Sequence, residues 1–220
     1  MTTSGVYTLS FTARDMAYKA LRDGQIIAAG TDPTAVEVQD VIDELNLLLK
    51  EWETRGYTLW RQETAEVDIT ANINPTTLAS DVYDVAAVRF QTTATLERPL
   101  TPFDRDQYKI LPNKTQTGNP SIFYIDRQRD QVDLYVWPVP SANSKVNIDY
   151  LRKIEVVTDA TQTLDIPQDW QGGVLTILTK RVCTAFGYPV PDEIAARAAV
   201  LEFEIDAQDR PSSYFMGPYN

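Results

Sequence analysis

The stretch LNLLLKEWETRGYTLW, residues 45–60, contains the point at which the periodicity of the chain changes. Up to Trp52 the large apolar residues recur every three or four positions, which predicts one face of an amphipathic helix. Gly56 then supplies a helix stop, because glycine readily adopts the left-handed conformation that ends helices. From Tyr57 onward, short runs rich in β-branched and aromatic residues alternate with turn residues, as is typical of strands.

Helical periodicity lies on both sides of this β-rich region. A first helix is predicted over residues 11–22, where Thr12 and Asp15 form a capping-box pattern, and Gly24 ends it. The helix that contains Trp52 begins after Pro33. Two more helices are predicted after the β-rich region, one over residues 170–186 and one that begins near Pro191.

The economical arrangement of these elements is an α+β fold. Residues 1–57 and 156–209 are predicted to form a discontinuous helical bundle, and residues 58–155 an inserted antiparallel β-sandwich or barrel module. Within Gln131–Trp137 the apolar residues alternate with Asp133 and Tyr135, which are expected to face solvent. Residues 210–220 are predicted to form an extended C-terminal arm.

Composition limits the chemistry available to the chain. Acids outnumber bases by 31 to 20 and histidine is absent, so the net charge is −11 and a basic nucleic-acid footprint is missing. Histidine-dependent triads and metal sites are excluded, and no phosphate-binding glycine loop is found. The sequence therefore predicts a protein that is not an enzyme and has no cofactor or metal.

Three features with an alternative functional interpretation are expected to be structural. The carboxylates of Asp126–Asp130 could serve a glycosidase, but the segment lies between two predicted strands and is interpreted as a hairpin turn. Cys183 is expected to be a buried, inert thiol. The aromatic residues could form a carbohydrate-binding platform, but core and interface roles are favoured; they are Trp52, Tyr57, Trp60, Phe123, Tyr124, Tyr135 and Trp137.

No apolar run approaches membrane-spanning length, and the first residues do not resemble a secretion signal. The C-terminal arm, in contrast, carries large apolar groups that it cannot bury by itself. It is therefore expected to bind a partner through Tyr214, Phe215, Met216, Pro218 and Tyr219.

Several runs together resemble the head-to-tail adaptor proteins of short-tailed bacteriophages (podoviruses), also called tail tubular or packaged-DNA stabilisation proteins. They are LNLLLKEWETRGYTLW (residues 45–60), PLTPFDRDQY (99–108), GNPSIFYIDRQRDQVDLYVWPVP (118–140) and VNIDYLRK (146–153). None of these runs is a catalytic signature, so the specificity of the resemblance lies in their order and spacing.

The resemblance implies a virion structural protein, assembled in the host cytoplasm, that forms a dodecameric ring in the neck of the particle. In such a ring the helical bundle faces the portal, the β module faces the tail nozzle or tail tube, and the C-terminal arm engages the portal. The alternative function is a carbohydrate-binding or peptidoglycan-degrading virion protein.

The genome would pass through the centre of such a ring. A bore lined with carboxylates repels phosphates, so DNA slides through it without sequence-specific binding. The candidate channel acids are Glu37, Asp40, Asp43, Glu44, Glu193, Glu202 and Asp206.

Overall fold

A computed structural model of the chain describes residues 10–28, 30–57, 60–93 and 95–208. Over this part the protein is mixed α+β, with five helices and two four-stranded sheets, neither of which closes into a barrel. The helices are α1 (Ala13–Asp23), α2 (Ala35–Arg55), α3 (Arg105–Ile110), α4 (Gln168–Phe186) and α5 (Asp192–Gln208). The strands are β1 (Gln62–Ile69), β2 (Thr76–Thr77), β3 (Val82–Thr93), β4 (Leu96–Pro99), β5 (Thr101–Phe103), β6 (Ile122–Arg127), β7 (Val132–Trp137) and β8 (Ser144–Arg152).

The described chain divides into two compact units. Residues up to Trp60, together with those from Ile154 onward, form the helical unit, and Arg61–Lys153 form the β unit. The β unit is thus a single insertion between α2 and α4.

The ends of the helices follow from local sequence. Thr12 begins α1 with the predicted capping box, in which its hydroxyl accepts from the Asp15 backbone N–H at 3.1 Å. Thr34 and Glu37 cap α2 in the same way. Gly56 ends α2 at φ 81°, in the left-handed conformation that favours glycine. The predicted boundaries of these two helices are confirmed within about two residues.

α1, α2, α4 and α5 contribute to one apolar core, in which Met16, Leu49, Leu178 and Ala198 are buried. Trp52 contacts the edge of Trp170 with ring centroids 6.0 Å apart. The predicted core role of Trp52 is therefore confirmed.

In the β unit, β8 pairs with β1 on one side and β3 on the other, while β7 lies between β2 and β6. Side chains from both sheets meet in one core, including Ile148 from β8 and Leu134 from β7. The expectation of a purely antiparallel module is wrong, because β5 pairs with β6 in parallel. The chain between these two strands passes through α3, and this crossover returns it in the same direction.

The predicted alternation along β7 is wrong at Asp133. This residue is buried rather than solvated. Its carboxylate accepts from the Thr77 hydroxyl at 2.8 Å and from the Gln131 side-chain amide at 3.0 Å, and these bonds replace water. The short helix α3 was also not predicted, since its six residues are too few to show a periodicity.

Candidate functional site

A row of three polar side chains on α2 holds the chain where it returns from the β unit. We call Asn46, Lys50 and Glu53 the α2 clamp; they are spaced four and three residues apart, which places them on one face of the helix. The Asn46 side chain donates to the Val157 carbonyl oxygen and accepts from the Val157 N–H, both at 2.9 Å. The N–H and carbonyl groups of Val157 thereby have hydrogen-bond partners, although this segment is not part of a sheet.

The other two members of the α2 clamp act together on Ile154. The Glu53 carboxylate accepts from the Ile154 N–H at 2.8 Å, and the Lys50 amine donates to the Ile154 carbonyl oxygen at 2.8 Å. Lys50 and Glu53 also form an ion pair at 2.8 Å. Both polar groups of the Ile154 backbone are therefore satisfied by side chains. This role could not be predicted from sequence, because the three side chains share it only through their contacts with Ile154 and Val157.

The face of α2 that points away from the buried core is exposed and combines acids with apolar groups. Val36, Asp40, Asp43 and Leu47 follow one another at spacings of four, three and four residues, and all four are exposed. Val36 is 70% exposed and Leu47 is 56% exposed. Asp40 and Asp43 thus lie on a surface that has apolar side chains at both ends.

α5 is apolar on two sides. Its inner side is buried at Ala198 and Ile205. Its outer side, which we call the outer α5 face, consists of Ala196, Val200 and Phe203 at spacings of four and three residues, and Phe203 is 74% exposed. A helix with apolar side chains on two opposite sides typically packs against a second partner through its exposed side.

The candidate channel acids fall into different environments. Glu37 is used in the α2 cap, Glu44 lies 3.4 Å from Nε of Arg181, and Glu202 lies 3.2 Å from Nζ of Lys180. Glu193 is exposed on the first turn of α5, and the side chain of Asp206 is outside the described residues.

The predicted portal-binding arm, residues 210–220, also lies outside the described residues. Cys183 is buried, and its Sγ lies 3.6 Å from the Gly24 carbonyl oxygen, which confirms the predicted burial. Burial raises the pKa of this thiol, while a backbone hydrogen bond acts in the opposite direction.

A cavity in the β unit is a candidate binding surface. This cavity of about 430 Å³ is lined by side chains from α3, the following loop and strands β6 and β7. We call it the tyrosine pocket, because Tyr108, Tyr124 and Tyr135 pack together there with ring centroids 5.1–5.6 Å apart. Arg105, Lys109 and Lys114 also line it, and Asp126 is the acid among its lining residues.

The hydroxyls of Tyr108 and Tyr135 remain protonated at neutral pH, because the pKa of each is raised. Burial, and then the neighbouring Tyr135, raise the pKa of Tyr108, while a hydrogen bond from Asn74 lowers it. Burial, followed by Asp126 and Asp133, raises the pKa of Tyr135. These two hydroxyls are therefore neutral hydrogen-bonding groups rather than anions.

The aromatic residues of the sheet do not form a flat platform for a sugar ring. Phe123 is buried in the core, and Tyr124 stacks on Tyr108 with an interplanar angle of 19°. The Trp137 indole donates to the Asn113 carbonyl oxygen at 2.8 Å. The loop Leu111–Pro120 is held against the end of β7 by this bond and by two backbone bonds at Val139.

The Asp126–Asp130 segment comprises the last two residues of β6 and most of the expected turn into β7, which is closed by a bond from the Gln128 N–H to the Gln131 carbonyl oxygen at 2.9 Å. In the portion of the chain that is described, no three His, Cys, Asp or Glu side chains come together as metal ligands. None of the described helices combines the length and apolar character needed to span a bilayer.

Comparison with solved structures finds a likeness of low score. No family model matches the chain, and no curated protein matches it in sequence. A solved structure described as "Neck of empty GTA particle computed with C6 symmetry" aligns with 88% of this chain and 93% of that chain, at a TM-score of 0.28 and 14% sequence identity. A likeness of this score carries no argument about function.

Proposed function

We propose that this chain is a virion structural protein, a head-to-tail adaptor of a short-tailed bacteriophage that works as one copy in a ring. In this proposal a helical bundle faces the portal and an inserted β-sandwich faces the tail nozzle or tail tube. The sequence runs at residues 45–60, 99–108, 118–140 and 146–153 suggested this role through their resemblance to such adaptors.

The observation that carries the proposal is the outer α5 face. Phe203 and Val200 are 74% and 56% exposed, although the helix already packs through its other side. A ring of more than two copies needs two different surfaces on each chain, because each copy contacts one neighbour on either side. The α2 face with Val36 and Leu47 supplies a second exposed surface with apolar groups. We propose that these two surfaces form the contacts between copies.

Electron microscopy of the neck of the particle tests the location. We expect the chain to form a ring of twelve copies between the portal and the nozzle, with residues 210–220 in contact with the portal. A fibre or capsid-surface position would rule the adaptor out.

The role of the outer α5 face is tested by Phe203→Glu. Because Phe203 is exposed, the substitution should leave the thermal stability of the isolated chain within about 0.5 kcal/mol of the wild type. We expect it to prevent incorporation into particles, while Thr92→Glu, at an exposed position of β3, is incorporated normally. Normal incorporation of Phe203→Glu would contradict the assignment of this face.

The acidic bore is tested with the three candidate acids that are exposed. Since Asp40, Asp43 and Glu193 are exposed, their neutral amides should not disturb the fold. Asp40 and Asp43 lie between Val36 and Leu47, so the variant also separates the two roles considered for this α2 face. If the acids line the bore, the triple variant should assemble normally but eject DNA more slowly, because weaker repulsion lets phosphates bind the wall for longer. A loss of assembly would instead place these acids in the contact between copies. Unchanged DNA ejection by the triple variant would show that these acids do not line the channel.

A further inference from the structure

The tyrosine pocket carries positive charge on a strongly negative protein. Its lining holds three bases and one acid, whereas the whole chain has a net charge of −11. Arg105, Tyr108 and Lys109 occupy positions one, four and five of α3, so the helix directs one face into the pocket. Among the described residues, the side chains of Arg105 and Lys109 have no hydrogen-bond or ion-pair partner. Two cations therefore remain available at its mouth.

The third base is held in position by the protein. The Lys114 amine donates to the carbonyl oxygens of Lys109 and Leu111, at 3.0 and 3.2 Å, and lies 6.0 Å from the centroid of the Tyr108 ring. An ammonium group has three N–H donors, so one is left for a ligand. Because its position is already fixed, less conformational entropy is lost when an anion binds.

The lining discriminates between classes of anion. Asp126 is half-buried and accepts one hydrogen bond, from the Gln128 side-chain amide at 2.9 Å. The negative charge of Asp126 disfavours a polyphosphate or nucleic acid, whereas its carboxylate can accept a hydrogen bond from a peptide N–H. Tyr108 and Tyr124 are each 7% exposed and stack on one another, which leaves little ring surface for a pyranose.

We propose that the tyrosine pocket binds an acidic peptide segment of a partner protein. Carboxylates of the segment pair with Arg105, Lys109 and Lys114, and a backbone N–H of the segment donates to Asp126. A volume of about 430 Å³ accommodates two or three residues. This inference concerns the isolated chain and does not depend on ring formation.

Titration of the ¹⁵N-labelled full chain, followed by NMR, tests the proposal. The probe is acetyl-Gly-Glu-Leu-Glu-Gly-amide, and its matched control is acetyl-Gly-Gln-Leu-Gln-Gly-amide. We expect the acidic peptide to shift the backbone amides of residues 105–117, with binding that weakens as salt is added. The glutamine peptide should bind at least tenfold more weakly.

Lys114→Gln and Arg105→Gln should each weaken binding of the acidic peptide by about tenfold, as expected for loss of one charge-assisted hydrogen bond. Lys153→Gln is the matched control, because Lys153 also donates to a backbone carbonyl oxygen, that of Ser80 at 2.7 Å, but does not line the pocket. Arg105 has no described side-chain partner, so its variant tests binding without a change in fold.

Three outcomes would overturn the proposal. They are the absence of shifts with the acidic peptide, equal losses in the Lys114→Gln and Lys153→Gln variants, and equally tight binding of inorganic phosphate or glucuronate. The last outcome would assign the pocket to a phosphate or an acidic sugar instead.

Discussion

Removal of the Asn46 side chain should weaken the α2 clamp by a predictable amount. Asn46→Ala deletes two hydrogen bonds of 2.9 Å to the backbone of Val157, in a part-buried setting. Each such bond contributes about 1 kcal/mol net, and an unpaired backbone group adds a desolvation cost, so we expect a loss of about 2–3 kcal/mol. For a chain of this length that corresponds to a fall in Tm of about 4–12 °C.

Urea denaturation followed by circular dichroism measures this loss. Gln39→Ala is the control, because Gln39 lies on the same helix and its amide bonds only the exposed Asp43, at 2.9 Å. That variant should lose less than about 0.5 kcal/mol. In native-state hydrogen exchange, the Val157 amide should lose protection in Asn46→Ala more than the amides of α1 do. Equal destabilisation by the two substitutions, or an unchanged Val157 amide, would refute the clamp.

The remaining predictions concern the Cys183 environment and the ion pair of Asp149. Since burial raises the pKa of the Cys183 thiol, we expect Ellman's reagent to label it slowly in the native chain and rapidly in urea; equal rates would contradict its burial. A Cβ at position 24 would lie 2.7 Å from Sγ of Cys183, so Gly24→Ala should lower the free energy of unfolding by about 1–3 kcal/mol. Adding Cys183→Ala to that variant removes the sulfur and should recover part of the lost stability. Additive losses in the double variant would contradict the clash. Hydrogen bonds from Arg89 and then Thr64 lower the pKa of Asp149 in the folded chain, despite its partial burial. The ionised Asp149 therefore stabilises the fold fully above about pH 4, near the pKa of an unfolded aspartate. This stabilisation is lost as the pH falls through the lower pKa of the folded chain. The urea midpoint of Asp149→Asn should therefore fall less between pH 5 and pH 2.5 than that of the wild type, and parallel curves would contradict the assignment.

The helices could be predicted from sequence because their signals are local. The capping box at Thr12 and the left-handed Gly56 depend on residues within one turn, and each is found where the sequence places it. A helix that begins near Pro191 was predicted, yet the exposure of Phe203 follows only from the way α5 packs. Sequence alone thus identified this helix but not its uncovered face.

The parts that were missed depend on contacts between distant residues. Burial of Asp133 requires the hydroxyl of Thr77, which is 56 residues away, and the α2 clamp joins Asn46 to Val157 across 111 residues. The tyrosine pocket likewise combines Tyr108 from an unpredicted helix with Tyr124 and Tyr135 from two strands. Periodicity records which side of an element is apolar, but it does not record which elements meet.

The two ends of the β unit are direct neighbours in its first sheet. The Arg152 N–H donates to the Arg61 carbonyl oxygen at 2.9 Å, and Gln62 pairs with Leu151. Paired strands lie about 4.8 Å apart, so the chain leaves and returns through almost the same point. A segment with adjoining ends can be exchanged by recombination for an unrelated one without changing the path of the surrounding helices. The β unit can therefore be replaced as a whole during evolution. A chimera joined at Arg61 and Arg152 should fold, because these two positions are adjacent in space.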